Sequence, residues 1–211
     1  MPFTPLPTIF TDLCGSLDPE HSRNLELGCG DGRFLEAAAG CGLRLWGLDL
    51  VPPGRGSSAA VVGDALAPPI SMGACDLVVA SNLVRHLLAV AGNLRFLESW
   101  LDLLKPGGSL FVFEDEPAVG DGPAGNYRDL QEFLSRLVPE ARGPLLARRD
   151  FLGLATVEHP DVTWEHGLAR NLHGLDGSAI MDLLEPGPLK RAIEAGGVDP
   201  GHFWWARAIA K

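Results

Sequence analysis

The sequence predicts an α/β domain built on a doubly wound, mostly parallel sheet, and three observations predict it. Short apolar runs alternate with helix-forming stretches or turns along the first half of the chain. The runs are nearly continuous in hydrophobicity, the signature of strands buried on both faces. Glycine and proline, 26 and 17 of 211 residues, are too many for a helical bundle and suit a loop-rich sheet. The length favours a single domain over residues 1–211. A chain of this size buries roughly 70% of its unfolded surface, enough for a core without metal or disulfide staples.

Each element follows in order. The first 23 residues, Pro-rich and then polar, read as a lead-in with little regular structure beyond a short helix. Asn24-Leu25-Glu26-Leu27 is the first strand, stopped by Gly28-Cys29-Gly30-Asp31-Gly32. Arg33 to Ala39 is a good helix former closed by Gly40. Leu43 to Leu48 is a second strand ending at Asp49, followed by a Pro/Gly/Ser turn from Pro52 to Ser58. Ala59 to Val62 ends at Gly63-Asp64, and Asp76 to Ala80 is a fourth strand with β-branched Val78 and Val79. Leu94, Leu97, Leu101 and Leu104 mark one face of a helix closed by Lys105-Pro106-Gly107-Gly108. Ser109 to Phe113 is the fifth strand, and Glu114 and Glu116 beyond it read as a solvated acidic loop.

The second half is less regular. Tyr127, Leu130, Leu134 and Leu137 give a helical stripe, Pro139 to Ala155 a broken helix, and Val162 to Leu168 a strand. Pro188 to Ala195 is a short helix ended by Gly196-Gly197, and His202 to Ile209 a closing strand. Parallel strands joined by right-handed crossovers put their carboxyl ends on one edge, where ligands bind. Glu26 and the glycines, Asp49, Asp64, Ser81-Asn82 and Glu114 all fall at such ends, so that edge is the expected active face.

Composition narrows the function. A net charge of −10 repels phosphate backbones, and Arg142, Arg148, Arg149, Lys190 and Arg191 are separated by apolar segments, so no nucleic-acid partner is expected. Cys14, Cys29, Cys41 and Cys75 lack metal-site spacing and read as reduced thiols, with no metal expected. Met1 to Phe10 has three prolines and no basic residue, unlike a signal peptide, and no apolar run is long enough to span a bilayer. A cytoplasmic location with no membrane partner follows as the expectation.

The strongest motif is Leu25-Glu26-Leu27-Gly28-Cys29-Gly30-Asp31-Gly32-Arg33-Phe34. A strand, glycine loop and helix let a ligand approach bare backbone. The spacing is not GxGxxG, because position 33 is Arg33. Glu26 beside a pyrophosphate would also face repulsion, whereas beside an ammonium it would be attracted. Glu26-x-Gly28-x-Gly30-x-Gly32 resembles motif I of the class I S-adenosylmethionine-dependent methyltransferases. Further pieces are similar in the family's order: Asp49, the Gly63-Asp64-Ala65 segment, Ala74 to Asn82, and Leu103 to Leu110.

The resemblance, carried on residues 24 to 114, implies a Rossmann-like sheet of seven strands with S-adenosyl-L-methionine as cofactor and S-adenosyl-L-homocysteine as product. It implies that Glu26, Gly28, Cys29, Gly30, Asp31, Gly32, Asp49, Leu50, Gly63, Asp64, Ala65, Ser81 and Asn82 bind the cofactor. Of these, Asp49 would bind the ribose hydroxyls and Asp64 with its neighbours the adenine. Asn82 could instead cap the helix that follows it, and Cys29 reads as a small filler and not a nucleophile. The implied reaction is methyl transfer to a small-molecule acceptor by in-line displacement, with His86 as candidate base or acceptor-orienting group. Residues 118–187 fall where the family often inserts a substrate lid, with Tyr127, Trp164 and His166 as candidate pocket residues. No acceptor motif is recognisable. A non-catalytic cofactor-binding module and, behind it, an NAD-dependent oxidoreductase are the competing readings.

Overall fold

The strands are β1 (Asn24–Leu27), β2 (Trp46–Asp49), β3 (Ala60–Val62), β4 (Cys75–Ser81), β5 (Leu104–Asp115), β6 (Trp164–Arg170) and β7 (His202–Ile209). The helices are α1 (Arg33–Gly40), α2 (Val84–Ala91), α3 (Phe96–Asp102), α4 (Pro123–Leu137), α5 (Arg148–Glu158) and α6 (Pro188–Gly196). The structure, a computed structural model, describes residues 10, 12, 15–18, 20–51, 59–137, 145–170, 184–199 and 201–210. The Pro52–Ser58 turn and part of the broken helix expected from Pro139 lie outside the described residues.

The seven strands form one sheet in the order β3-β2-β1-β4-β5-β7-β6. Pairing is parallel from β3 through β5, and β7 runs antiparallel to both β5 and β6. The chain winds outward from β1 to β3 and then returns to place β4 on the other side of β1. That reversal makes the β1/β4 boundary the switch point, where crossovers diverge and leave a crevice at the carboxyl ends.

Period-two alternation divides the core between the faces. Leu77, Val79, Phe111 and Phe113 face Phe10, Leu35, Ala38 and Leu43 on one side. Val78, Ala80, Leu110 and Val112 face Val84, Leu97, Trp100, Phe151 and Trp204 on the other. Phe10, in the lead-in expected to hold little beyond a short helix, is part of the core. It is fully buried, with edge-on contacts to Phe34, Phe111 and Phe113 at 5.3, 5.9 and 5.6 Å.

Leu104 also departs from expectation: it opens β5 and does not end the preceding helix. The reason is capture by β4, since Leu104 pairs with Cys75 and the Cys75 N–H donates to Leu103 O at 2.8 Å. The Lys105-Pro106-Gly107-Gly108 turn thereby becomes an irregularity inside β5, with a register shift opposite Cys75 and Leu77. Within 118–187, the expected lid, β6 is the sheet's edge strand and α5 packs Phe151 and Ala155 into the core. The remaining described helix there, α4, takes neither place. It pairs instead with α6: the Asn126 side-chain amide donates to Ala192 O and Gly197 O at 3.0 and 2.9 Å.

Candidate active site at the carboxyl edge

The tip of β2 holds the glycine loop in place. The N–H groups of Gly28 and Cys29 donate to Leu48 O at 2.7 and 3.2 Å. The Gly30 N–H donates to Asp49 Oδ2 at 2.8 Å, and the Val51 N–H to Asp49 Oδ1 at 3.2 Å. Two acceptor positions of that carboxylate remain for a ligand. Gly30 has φ +51°, and a Cβ added there would meet nothing within 4 Å, so the loop presents open backbone. A Cβ at Gly28 would lie 2.6 Å from Leu83 Cδ1, which shows how closely the segment after β4 packs on the loop.

Beneath the loop sits Glu26, only 2% exposed, opposite Val79 of β4. Its Oε2 has no hydrogen-bond partner among the described residues. Burial first, then the charges of Asp49 and Asp31, hold its carboxyl well above the ordinary range. Asp31 is exposed and pairs with Arg33 at 2.7 Å. Burial, with Glu26 and Asp49 adding to it, pushes the Cys29 thiol up to about 11, which fits a filler and not a nucleophile. Farther out on β2 and β3, Leu50 is exposed, Asp64 Oδ1 accepts the Leu66 N–H at 2.8 Å, and Ala65 O accepts the Trp100 indole N–H at 2.7 Å. The Gly63 N–H donates to Asp49 O at 2.9 Å, joining the β3 tip to that of β2.

On the β4 side, Asn82 follows Ser81 with φ +53°. Its N–H donates to Phe113 O at 2.8 Å and its Oδ1 accepts the Asp115 N–H at 3.3 Å. It bridges β4 to β5 and does not cap α2. Glu114 meets the start of that helix instead, its Oε1 accepting the Arg85 N–H at 3.2 Å. Glu114 is therefore no part of a solvated loop: its side chain is fully buried, and burial, opposed by Arg85, pushes it up to about 8. Glu116 is likewise engaged, accepting the Arg148 N–H at the start of α5 at 2.9 Å. Sequence reasoning missed both roles, because each links residues about 30 positions apart. Arg85 Nε points at His86 Nε2 at 3.4 Å.

The structure thus gathers Glu26, Gly28 to Gly32, Asp49, Leu50, Gly63 to Ala65, Ser81, Asn82 and His86 at the carboxyl ends of four adjacent strands. It does not bring Trp164 or His166 there. Trp164 opens β6, its ring edge-on to Phe151 at 5.3 Å in the core. His166 is exposed three strands from β4 and level with Ala206 in mid-sheet. Tyr127 is buried on α4.

A family model described as a methyltransferase domain matches residues 7–156. The chain belongs to this methyltransferase family. No curated protein matches it significantly. Solved structures share the fold at low identity. A Methanosarcina mazei S-adenosylmethionine-dependent methyltransferase is 15% identical, with TM-score 0.60 over 97% of this chain and 98% of that one. One from Mesorhizobium loti is 17% identical, with TM-score 0.54 over 94% and 96%. The geranyl diphosphate C-methyltransferase of Streptomyces coelicolor, solved with Mg2+, geranyl diphosphate and S-adenosyl-L-homocysteine, is 13% identical, with TM-score 0.54 over 97% and 79%.

S-adenosylmethionine is the cofactor this methyltransferase fold implies, and the residues fit it. An orphaned buried carboxyl oxygen on Glu26 matches a cationic ligand. The bare backbone at Gly30 leaves room for close approach, and Asp49 has acceptor positions left for a diol. Among the described residues, no group of three or more His, Cys, Asp or Glu side chains could hold a metal ion. No described helix is long and apolar enough to cross a membrane.

Proposed function

We propose that this protein transfers a methyl group from S-adenosylmethionine to a small-molecule acceptor by in-line displacement. The observation that carries the reading is Glu26, a buried carboxyl with an unmet oxygen directly under an open glycine loop. Burial raises that carboxyl's proton affinity, and an incoming ammonium group stabilises the ionised form. Asp49, already fixed by Gly30 and Val51, accepts from the ribose hydroxyls, and exposed Leu50 beside it offers the adenine an apolar face. Asp64 and Ala65 border the adenine from β3, while Ser81 and Asn82 close the site from β4.

The cofactor supplies an electrophilic methyl on a sulfonium. The protein's part is to fix the two reactants in line and exclude water, which is worth several kcal/mol in well-oriented systems. His86, in the first turn of α2, is the polar group we assign to the acceptor. Because Arg85 engages its Nε2, it suits orientation better than proton abstraction. The chain's net charge of −10 supports a small acceptor over a nucleic acid. The test is single-turnover transfer of labelled methyl to fractions of a metabolite extract. Label in a small-molecule fraction is the expected result. Tight cofactor binding with no transfer would make the protein a cofactor-binding module instead.

A further inference from the structure

Arg85 occupies the second position of α2, two residues beyond Leu83, whose side chain touches the cofactor loop at Gly28. Its side chain is 13% exposed, yet its guanidinium is poorly satisfied. Nε is directed at His86 Nε2 at 3.4 Å and lies 3.7 Å from Glu114 Oε2, beyond hydrogen-bond reach. The Nη donors make no hydrogen bond to any described residue. A guanidinium carries five N–H donors, and those on Nη are unmatched among the described residues, on a helix that starts just past the carboxyl end of β4.

Its ion-pair partner among the described residues is Glu114, at 3.7 Å. Burial raises the proton affinity of Glu114, with Arg85 opposing it, which weakens the pair. The carboxylates Glu26, Asp31 and Asp49 belong to the β1 and β2 side, where the cofactor's own cationic groups answer them. Arg85 is a cation on the β4 and β5 side, in a chain whose net charge of −10 would otherwise repel anions. A planar fork held with its long stem buried is suited to a bidentate carboxylate or phosphate.

We propose that Arg85 anchors an anionic group on the methyl acceptor, so that the acceptor is a carboxylate- or phosphate-bearing small molecule. This rests on the methyltransferase reading above and adds the substrate class.

The test uses the full chain saturated with S-adenosylhomocysteine and titrated with benzoate, phenyl phosphate or neutral benzyl alcohol, followed by the NMR signals of Arg85 Nε and His86. The expected result is saturable binding of one or both anions and none of benzyl alcohol. Arg85→Gln should weaken anion binding by about tenfold or more while cofactor affinity stays put, with Arg85→Lys in between. Equal anion binding by Arg85→Gln, or none by the wild type, overturns the inference alone. Loss of cofactor affinity in Arg85→Gln also overturns it, since Arg85 would then be holding the fold. Failure of the wild type to bind S-adenosylhomocysteine removes the methyltransferase reading, and this inference with it.

Discussion

Glu26 and Glu114 set opposite demands on the same edge of the sheet. Both are buried carboxyl groups with folded-state affinities for a proton above the ordinary carboxylic range. A carboxyl raised in this way contributes stability that is complete below its unfolded pKa and is lost as pH rises through its folded one. For Glu114 the window runs from the ordinary value of 4.5 up to about 8. The cofactor-free protein should therefore lose stability between about pH 4.5 and about pH 8, with Glu114 supplying on the order of 5 kcal/mol over that range. Glu114→Gln, which keeps an acceptor for the Arg85 N–H, should flatten that decline in calorimetric melts. An unchanged pH profile would show that the carboxyl ionises without cost. Glu26→Gln should likewise flatten the empty protein's decline at high pH while weakening cofactor binding by roughly tenfold or more.

At the scale of elements, the candidate site depends on how closely β2 and the segment after β4 press on the glycine loop. A Cβ at Gly47 would lie 2.6 Å from Cys29 Sγ and 2.9 Å from Leu35 Cδ1, so β2 leaves no space between itself and the loop-helix junction. Gly47→Ala should cost about 1–3 kcal/mol by overpacking and shift the loop, reducing cofactor affinity as well. Gly30→Ala meets no atom within 4 Å, but its φ of +51° makes any side chain strained, at about 1–2 kcal/mol. Its added methyl sits where the ligand should lie, so affinity should fall more than melting temperature does. Comparing the two variants by denaturant unfolding and cofactor titration separates packing from access.

Elements were legible in the sequence where the signal is local. β1 and β7 run over the expected residues, and Glu26-x-Gly28-x-Gly30-x-Gly32 falls at a strand end because glycine chemistry and strand breaking lie in the same few positions. Legibility ended where a partner comes from far along the chain. Asn82 reads as a cap beside α2, but Glu114 from β5 meets the start of that helix and leaves Asn82 to tie β4 to β5. Leu104 continues a helical stripe until β4 captures it as a strand.

For the whole molecule, strand order decides which residues share the crevice. Glu26, Asp49, Asp64 and Asn82 converge because β3, β2, β1 and β4 are neighbours and parallel. Trp164 and His166 are excluded because β6 lies at the outer edge beyond an antiparallel β7, an arrangement no local pattern encodes. Trp164 serves the core there, together with Trp204, whose ring is tilted against Phe151 at 4.9 Å. Phe10 ties the start of the chain to the opposite face, so Phe10→Ala should cost about 3–5 kcal/mol in urea unfolding. A loss below about 1 kcal/mol would mean the aromatic cluster around Phe111 and Phe113 closes without it.

The central claim is that the glycine loop, Glu26 and Asp49 together seat a cationic nucleoside. Isothermal calorimetry of S-adenosylmethionine with the wild type and Asp49→Ala tests it most directly. The account predicts saturable binding with a proton released from Glu26, seen as a dependence of heat on buffer, and a loss of about 1.5–3 kcal/mol in the variant. Absence of binding at millimolar ligand, or equal affinity in Asp49→Ala, would contradict it.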